Sequence, residues 1–147
     1  MRPKTFKLLF TIFVLVGIAN GIYLSIMKLS NNAAMCIKGL GDCWTVNTSK
    51  YSQIYGIPIA ILGTLAFISL LVLILLDGRT RFWKAYTPYF LFGITLIGTL
   101  YSAYLTYLEL EIIQAICPFC VLSATSMLIL FGLSIYRLVT AQAESNA

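Results

Sequence analysis

Four cysteines stand in this chain of 147 residues, in two groups: Cys36 with Cys43, and Cys117 with Cys120. The second group reads Cys117-Pro118-Phe119-Cys120, a C-x-x-C spacing at the start of a long apolar run. That spacing and a helix N-terminus each lower a thiol pKa, and the thiolate is the attacking species in disulfide exchange. Pro118 suits the first position of a helix, which makes Cys117 its N-cap, facing the positive end of the dipole. In the first group the sulfurs are separated by Ile37-Lys38-Gly39-Leu40-Gly41-Asp42. The two glycines permit the turn that brings Cys36 and Cys43 within bonding distance, and Lys38 supplies a positive charge beside a thiolate. A short exposed bridge of this kind exchanges, whereas structural bridges resist reduction. One reading is therefore two dithiol pairs that pass electrons at a membrane surface. Passive staples in a structural four-span protein are a second reading, and a zinc or iron–sulfur site made from the cysteines is a third. The gap between Cys36 and Cys43 is wider than a metal-binding knuckle, so no residue is assigned to a metal.

The elements that hold these sulfurs follow from composition: hydrophobic residues make up 60% of the chain, charged residues 10%, and the mean hydropathy is +0.92. Crossing a hydrocarbon core of about 30 Å takes about 20 residues at 1.5 Å each. Four stretches qualify, at about 6–27, 57–76, 86–108 and 118–139. The fold class expected is an all-α integral membrane protein, a bundle of four transmembrane helices forming one domain over 1–147. Basic segments are retained in the cytoplasm. Arg2, Lys4, Lys7, Arg79, Arg81, Lys84 and Arg137 lie on one side, against Lys28, Lys38 and Lys50 on the other, with Glu109 and Glu111 in the third loop. Seven against three predicts a cytoplasmic (inner) membrane protein with both termini inside and both cysteine pairs outside, where disulfides persist. The net charge of +5 is then an inner-leaflet anchor and requires no nucleic acid. The first apolar run is too long for a cleaved signal, and Met35 before Cys36 does not suit a lipoprotein site. No span carries an Asp, Glu, Lys or Arg in its central part, which argues against a transporter or proton pump.

Gly17-Ile18-Ala19-Asn20-Gly21 in the first span has a small-residue spacing that lets helices approach and sets an amide inside the bundle; Gly93 and Gly98 in the third read as packing glycines too. The first loop, about 28–56, exceeds the two to eight residues usual between bundled helices. Its second half, from Trp44 to Tyr55, predicts a short interfacial helical segment. That segment is either a membrane-surface anchor or a cap over a ligand pocket.

Taken together, Cys36 and Cys43, the stretch Cys43-Trp44-Thr45-Val46-Asn47-Thr48-Ser49-Lys50-Tyr51, Gly56-Ile57-Pro58 entering the second span, and Cys117-Pro118-Phe119-Cys120 opening the fourth resemble the prokaryotic branch of the vitamin K epoxide reductase family. A bare C-x-x-C is weak evidence; the ordered set across all four spans is specific. The similar DsbB type carries its C-x-x-C in the first outer loop, whereas here it opens the last span. The resemblance implies a quinone, ubiquinone or menaquinone, held near the outer face beside Cys120 and covered by the loop segment. It also places Ser49, six residues beyond the second loop cysteine, at the quinone. Animal members have a tyrosine four residues after the last cysteine; Ala124 stands there, so the resemblance does not extend to vitamin K epoxide as substrate.

Many prokaryotic relatives carry a fused thioredoxin-like domain, which this chain is expected to lack. The expected thiol donor is a thioredoxin-fold, DsbA-like protein outside the membrane. Electrons would pass from it to Cys36/Cys43, then Cys117/Cys120, then quinone, with Cys36 attacked by the partner, Cys43 relaying to Cys117, and Cys120 facing the ring. There is no histidine in the chain, so protons for the quinone come from water, a thiol, a hydroxyl or a carboxylate such as Asp42.

Overall fold

The computed structural model describes residues 2–32, 34, 36, 39 and 41–147. Lys38, expected to assist a thiolate, lies outside the described residues, as does Met35. In chain order the elements are α1 (Pro3–Ser30), α2 (Cys43–Thr48), a 3-10 turn (Lys50–Ser52), β1 (Gln53–Ile54), β2 (Ile57–Pro58), α3 (Ile59–Leu76), α4 (Arg81–Tyr107), a π-helical turn (Leu108–Ile113) and α5 (Pro118–Asn146). Helices α1, α3, α4 with its π extension, and α5 are long and apolar enough to cross a membrane. Their outward faces carry exposed Leu65, Leu75, Ile97, Leu100, Leu128 and Val139. In water a belt of that kind would drive aggregation; against lipid tails it is the surface the solvent demands. The fold is the expected all-α tetraspan.

Hydropathy located the spans but not their ends. Charged residues end an apolar window without ending a helix, so α1 starts at Pro3 and α5 runs to Asn146. Thr80 caps α4, accepting the Trp83 N–H at 3.4 Å, and the helix therefore begins at Arg81, ahead of the expected 86. Its far end departs more: Glu109 and Glu111, expected in a loop, continue the helix as a π turn that closes at Gln114 in the left-handed region, φ 55°. At the start of α3, Ile57 and Pro58 leave the expected span for a two-residue hairpin pairing Gln53 with Pro58 and Ile54 with Ile57. Tyr55 and Gly56 turn it, both with positive φ.

Packing bears out most of the small-residue reading. A β-carbon on Gly17 would collide with the Phe67 ring, and one on Gly21 with the Thr64 hydroxyl, so these glycines let α1 and α3 touch. Gly98 faces Met127 in the same way, with Cε and Sδ 2.8 Å from where a β-carbon would sit. Gly93 differs from expectation: nothing stands within 4 Å of its missing side chain, so it mediates no close approach. One core cluster joins Phe6, Phe10, Val14, Phe67, Leu70, Ile74, Leu91, Met127 and Leu130. Beyond it, at the end where the chain's basic segments gather, buried Asp77 at the close of α3 meets Lys7 of α1 and Arg137 of α5, each at 3.4 Å. A second cluster, Leu24, Met27, Cys43, Val46 and Cys117, occupies the opposite end.

Candidate functional site

Both cysteine groups belong to that second cluster, and loop backbone is what brings them together. The Asp42 N–H donates to Ile116 O at 3.0 Å, tying the residue before Cys43 to the residue before Cys117. Gly41, at φ 112°, lies against Ile116 O and Pro118, where any side chain would clash. The glycine turn read from the sequence therefore serves a second purpose, close docking on the α4–α5 connection.

Cys36 and Cys43 form a disulfide with their α-carbons 6.1 Å apart. Cys36 is half-buried, with Met27 Sδ 3.3 Å from its sulfur, and Cys43 is buried. Asp42 caps α2: Oδ1 accepts the Thr45 N–H at 3.1 Å and Oδ2 the Thr45 hydroxyl at 2.7 Å. The hydroxyl bond first, then the backbone bond, holds this carboxyl below its ordinary range. The Asp42 carboxylate serves here as the cap of α2.

Cys117 is the N-cap of α5 and Pro118 its first residue, as the sequence predicts. Cys117 and Cys120 are free thiols, the first fully buried, the second half-buried. The hydrogen bond from Cys120 holds the Cys117 thiol below the usual range, overcoming burial and the nearby Glu109 carboxyl, with the Cys120 and Phe119 N–H groups helping. Asn20 fixes this first turn from α1: its Nδ2 donates to Phe119 O at 2.6 Å and to Ser123 Oγ at 2.5 Å. The amide foreseen inside the bundle is therefore a brace for the C-x-x-C helix.

Next to Cys120 opens a cavity of about 450 Å³ among α1, α3, α4 and α5. That size accommodates a small-molecule ring system. Its wall is mainly apolar, with Asn47, Ser49, Tyr101, Glu109 and Cys120 among the polar exceptions. Val46, Asn47, Ser49, Tyr51, Ser52 and Ile54 come from the Trp44–Tyr55 segment, so of the two readings of that segment the cap over a pocket holds. Lys28 of α1 anchors the cap by donating to Asn47 O at 2.7 Å and Ser52 Oγ at 2.9 Å, and Asn47 Nδ2 reaches back to Leu24 O at 3.2 Å. Ser49 lies in the wall at the C-cap of α2, its hydroxyl donating to Val46 O at 2.8 Å. Ala124 is also in the wall.

Sequence reasoning passed over Glu109. It is buried at 4% exposure, lines the cavity, and accepts the Cys117 N–H on Oε2 at 3.4 Å. The signal was its position eight residues before Cys117, but a loop assignment sent its side chain to solvent.

A four-span bundle whose two cysteine pairs meet beside a capped apolar cavity defines a class of membrane protein with a buried thiol–disulfide site. The sequence model of the vitamin K epoxide reductase family matches residues 8–135, and the chain belongs to that family. It is also similar to the thiol-disulfide oxidoreductase LTO1 of Arabidopsis thaliana, 31% identical over 118 residues, which cover 77% of this chain and 31% of the plant protein's length.

Proposed function

We propose that the protein is a quinone-dependent thiol–disulfide oxidoreductase of the cytoplasmic membrane. It reoxidises a thioredoxin-fold, DsbA-like partner on the outer side and thereby supports disulfide formation in exported proteins. The observation that carries this reading is the sulfur path: half-buried Cys36, bonded to buried Cys43, which shares a cluster with Cys117, whose partner Cys120 lines the cavity. Family membership and the likeness to a plant protein named as a thiol-disulfide oxidoreductase support the same chemistry. Seven of the ten basic residues on one side favour both termini in the cytoplasm and the cysteine end outside.

The partner's thiolate attacks Cys36, the more accessible sulfur, and Cys43 leaves as a thiolate. The partner's second thiolate frees Cys36; Cys43 attacks Cys117 of an oxidised Cys117/Cys120 pair, expelling Cys120 as a thiolate, and Cys36 then attacks Cys43, expelling Cys117 and restoring the loop disulfide. Ser49 and Cys120, in the wall of the apolar cavity, would hold the head of a quinone, which when bound would accept the two electrons. The Ser49 hydroxyl, now given to Val46 O, would exchange that acceptor for a quinone carbonyl. A potential gap of about 30 mV is worth roughly 1.4 kcal/mol for two electrons, so modest gaps along the relay set its direction.

The test is trapping in membranes. Cys43→Ser should accumulate a mixed disulfide between Cys36 and the partner; an adduct on Cys43 in Cys36→Ser instead would reverse the order within the loop. Thiol titration with metal analysis separates the rival readings: disulfides that reform on adding ubiquinone or menaquinone support the enzyme, whereas stoichiometric zinc or bridges inert to both defeat it.

A further inference from the structure

The relay above accounts for the electrons and leaves the protons unassigned. Two thiols becoming a disulfide release two protons, and the quinone takes up two on becoming a quinol. Asp42 is engaged with Thr45 and is not among the residues that line the cavity.

Glu109 has the required position. Its carboxyl is buried in the wall of the cavity that Cys120 also lines, and is bonded to the Cys117 N–H at 3.4 Å. Among the described residues, the ion pairs at 4 Å or less all involve Asp77, so no lysine or arginine neutralises it. A buried carboxyl without a cation costs free energy, and a glutamine would accept the same N–H bond without that cost. The π turn delivers it: the Glu109 carbonyl takes the N–H of Gln114 and of Ala115, which folds the chain back and turns the carboxyl toward α5. Turns of this kind interrupt helices at functional sites.

We propose that Glu109 is the acid–base residue of the Cys117/Cys120 pair, taking the proton of the Cys120 thiol and passing it to a quinone oxygen. This rests on the quinone reading. Two S–H bonds break and one S–S bond forms between Cys117 and Cys120; the electron pair goes to the quinone. One proton travels through Glu109, which ends in its starting state, and the other comes from the Cys117 thiol. The neighbouring ionisable groups are those two thiols on α5 and, across the cavity on α4, the Tyr101 hydroxyl. Lys28 on α1 is engaged with Asn47 and Ser52, and Asp42 at α2 with Thr45.

The experiment uses the full chain in lipid nanodiscs, reduced with a chemical dithiol and mixed with short-chain ubiquinone for a single turnover. Glu109→Gln should slow quinone reduction by about 10²–10⁴-fold, the usual span for acid–base catalysis, and flatten its pH dependence. Quinone affinity should stay within about twofold, and Glu109→Asp should recover part of the rate. A wild-type rate in Glu109→Gln overturns the assignment. A second arm needs neither quinone nor a variant: wild-type protein with ¹³C-carboxyl glutamate is cycled between dithiol and disulfide by dithiothreitol and diamide, and its infrared difference spectrum is recorded. A shifted glutamate carboxyl band supports the role, and an unchanged band overturns it. Should wild-type protein reduce no quinone while the band shifts, the quinone reading fails and the proton link between Glu109 and the thiols stands.

Discussion

The two ends of this bundle are built by opposite rules. At the basic end the one buried carboxylate, Asp77, is held by two cations, and Phe6, Phe10 and Phe67 fill the interior beneath it. At the cysteine end the buried carboxyl, Glu109, has a thiol and an N–H for company, and the interior is a cavity of about 450 Å³. Backbone conformation divides the same way. Among the described residues, Asn31, Gly39, Gly41, Tyr55, Gly56 and Gln114 take positive φ around the cysteine end, whereas Gly78 alone does so at the other. Left-handed backbone at residues other than glycine is strained and persists where surrounding packing over-determines it, and such residues gather at sites that do chemistry. One end holds the helices together, which leaves the other open enough for a ligand and for sulfurs that change partners.

That contrast can be broken most sharply at Cys120. Cys120→Ala should abolish quinone reduction by a chemical dithiol while the far end keeps the fold intact, measured as quinone absorbance beside a thermal melt. Retained activity would move the electron exit to Cys117. Next in size is Asp77→Asn at the opposite end. Breaking a fully buried pair costs about 3–5 kcal/mol, and about 1–3 is expected here because the Lys7 side chain is 42% exposed. Stability in detergent should fall with quinone reduction unchanged within about twofold; an equal loss of both would show that the ends are not independent.

Asn20 lies between these extremes because it braces the first turn of α5. Asn20→Ala should cost about 1–2 kcal/mol and also slow thiol transfer roughly tenfold by loosening Cys120. A stability loss with full activity would reduce it to packing. The smallest effect is a titration. In the Cys36→Ser/Cys43→Ser protein, thiolate absorbance should rise at a midpoint below the ordinary value of about 8.5, because the bond from Cys120 favours ionised Cys117. Cys120→Ala in that background removes this bond and should move the midpoint upward; a fixed midpoint would leave the helix N-terminus as the cause.

Much of this architecture could be read from residue order. Four apolar runs demand four spans, a proline after Cys117 starts a helix, and glycines around Leu40 bend a loop, since each of these is set by local chemistry or by the lipid solvent. The same locality explains the misreadings. Gly93 and Gly98 look alike along the chain, yet only Gly98 meets a neighbouring helix. Glu109 and Glu111 follow an apolar run and read as a loop, yet both continue the helix and Glu109 is buried.

Sequence alone determined the span number, the two thiol pairs and the cap of α5, because hydropathy, spacing and proline act within a few residues. Which carboxyl is buried against the C-x-x-C, which sulfurs share a cluster, and that the loop segment roofs a cavity were decided by tertiary packing. A backbone bond from Asp42 to Ile116 joins segments far apart in the chain, and the π turn at Leu108–Ile113 brings Glu109 back onto the Cys117 N–H. No periodicity encodes such contacts.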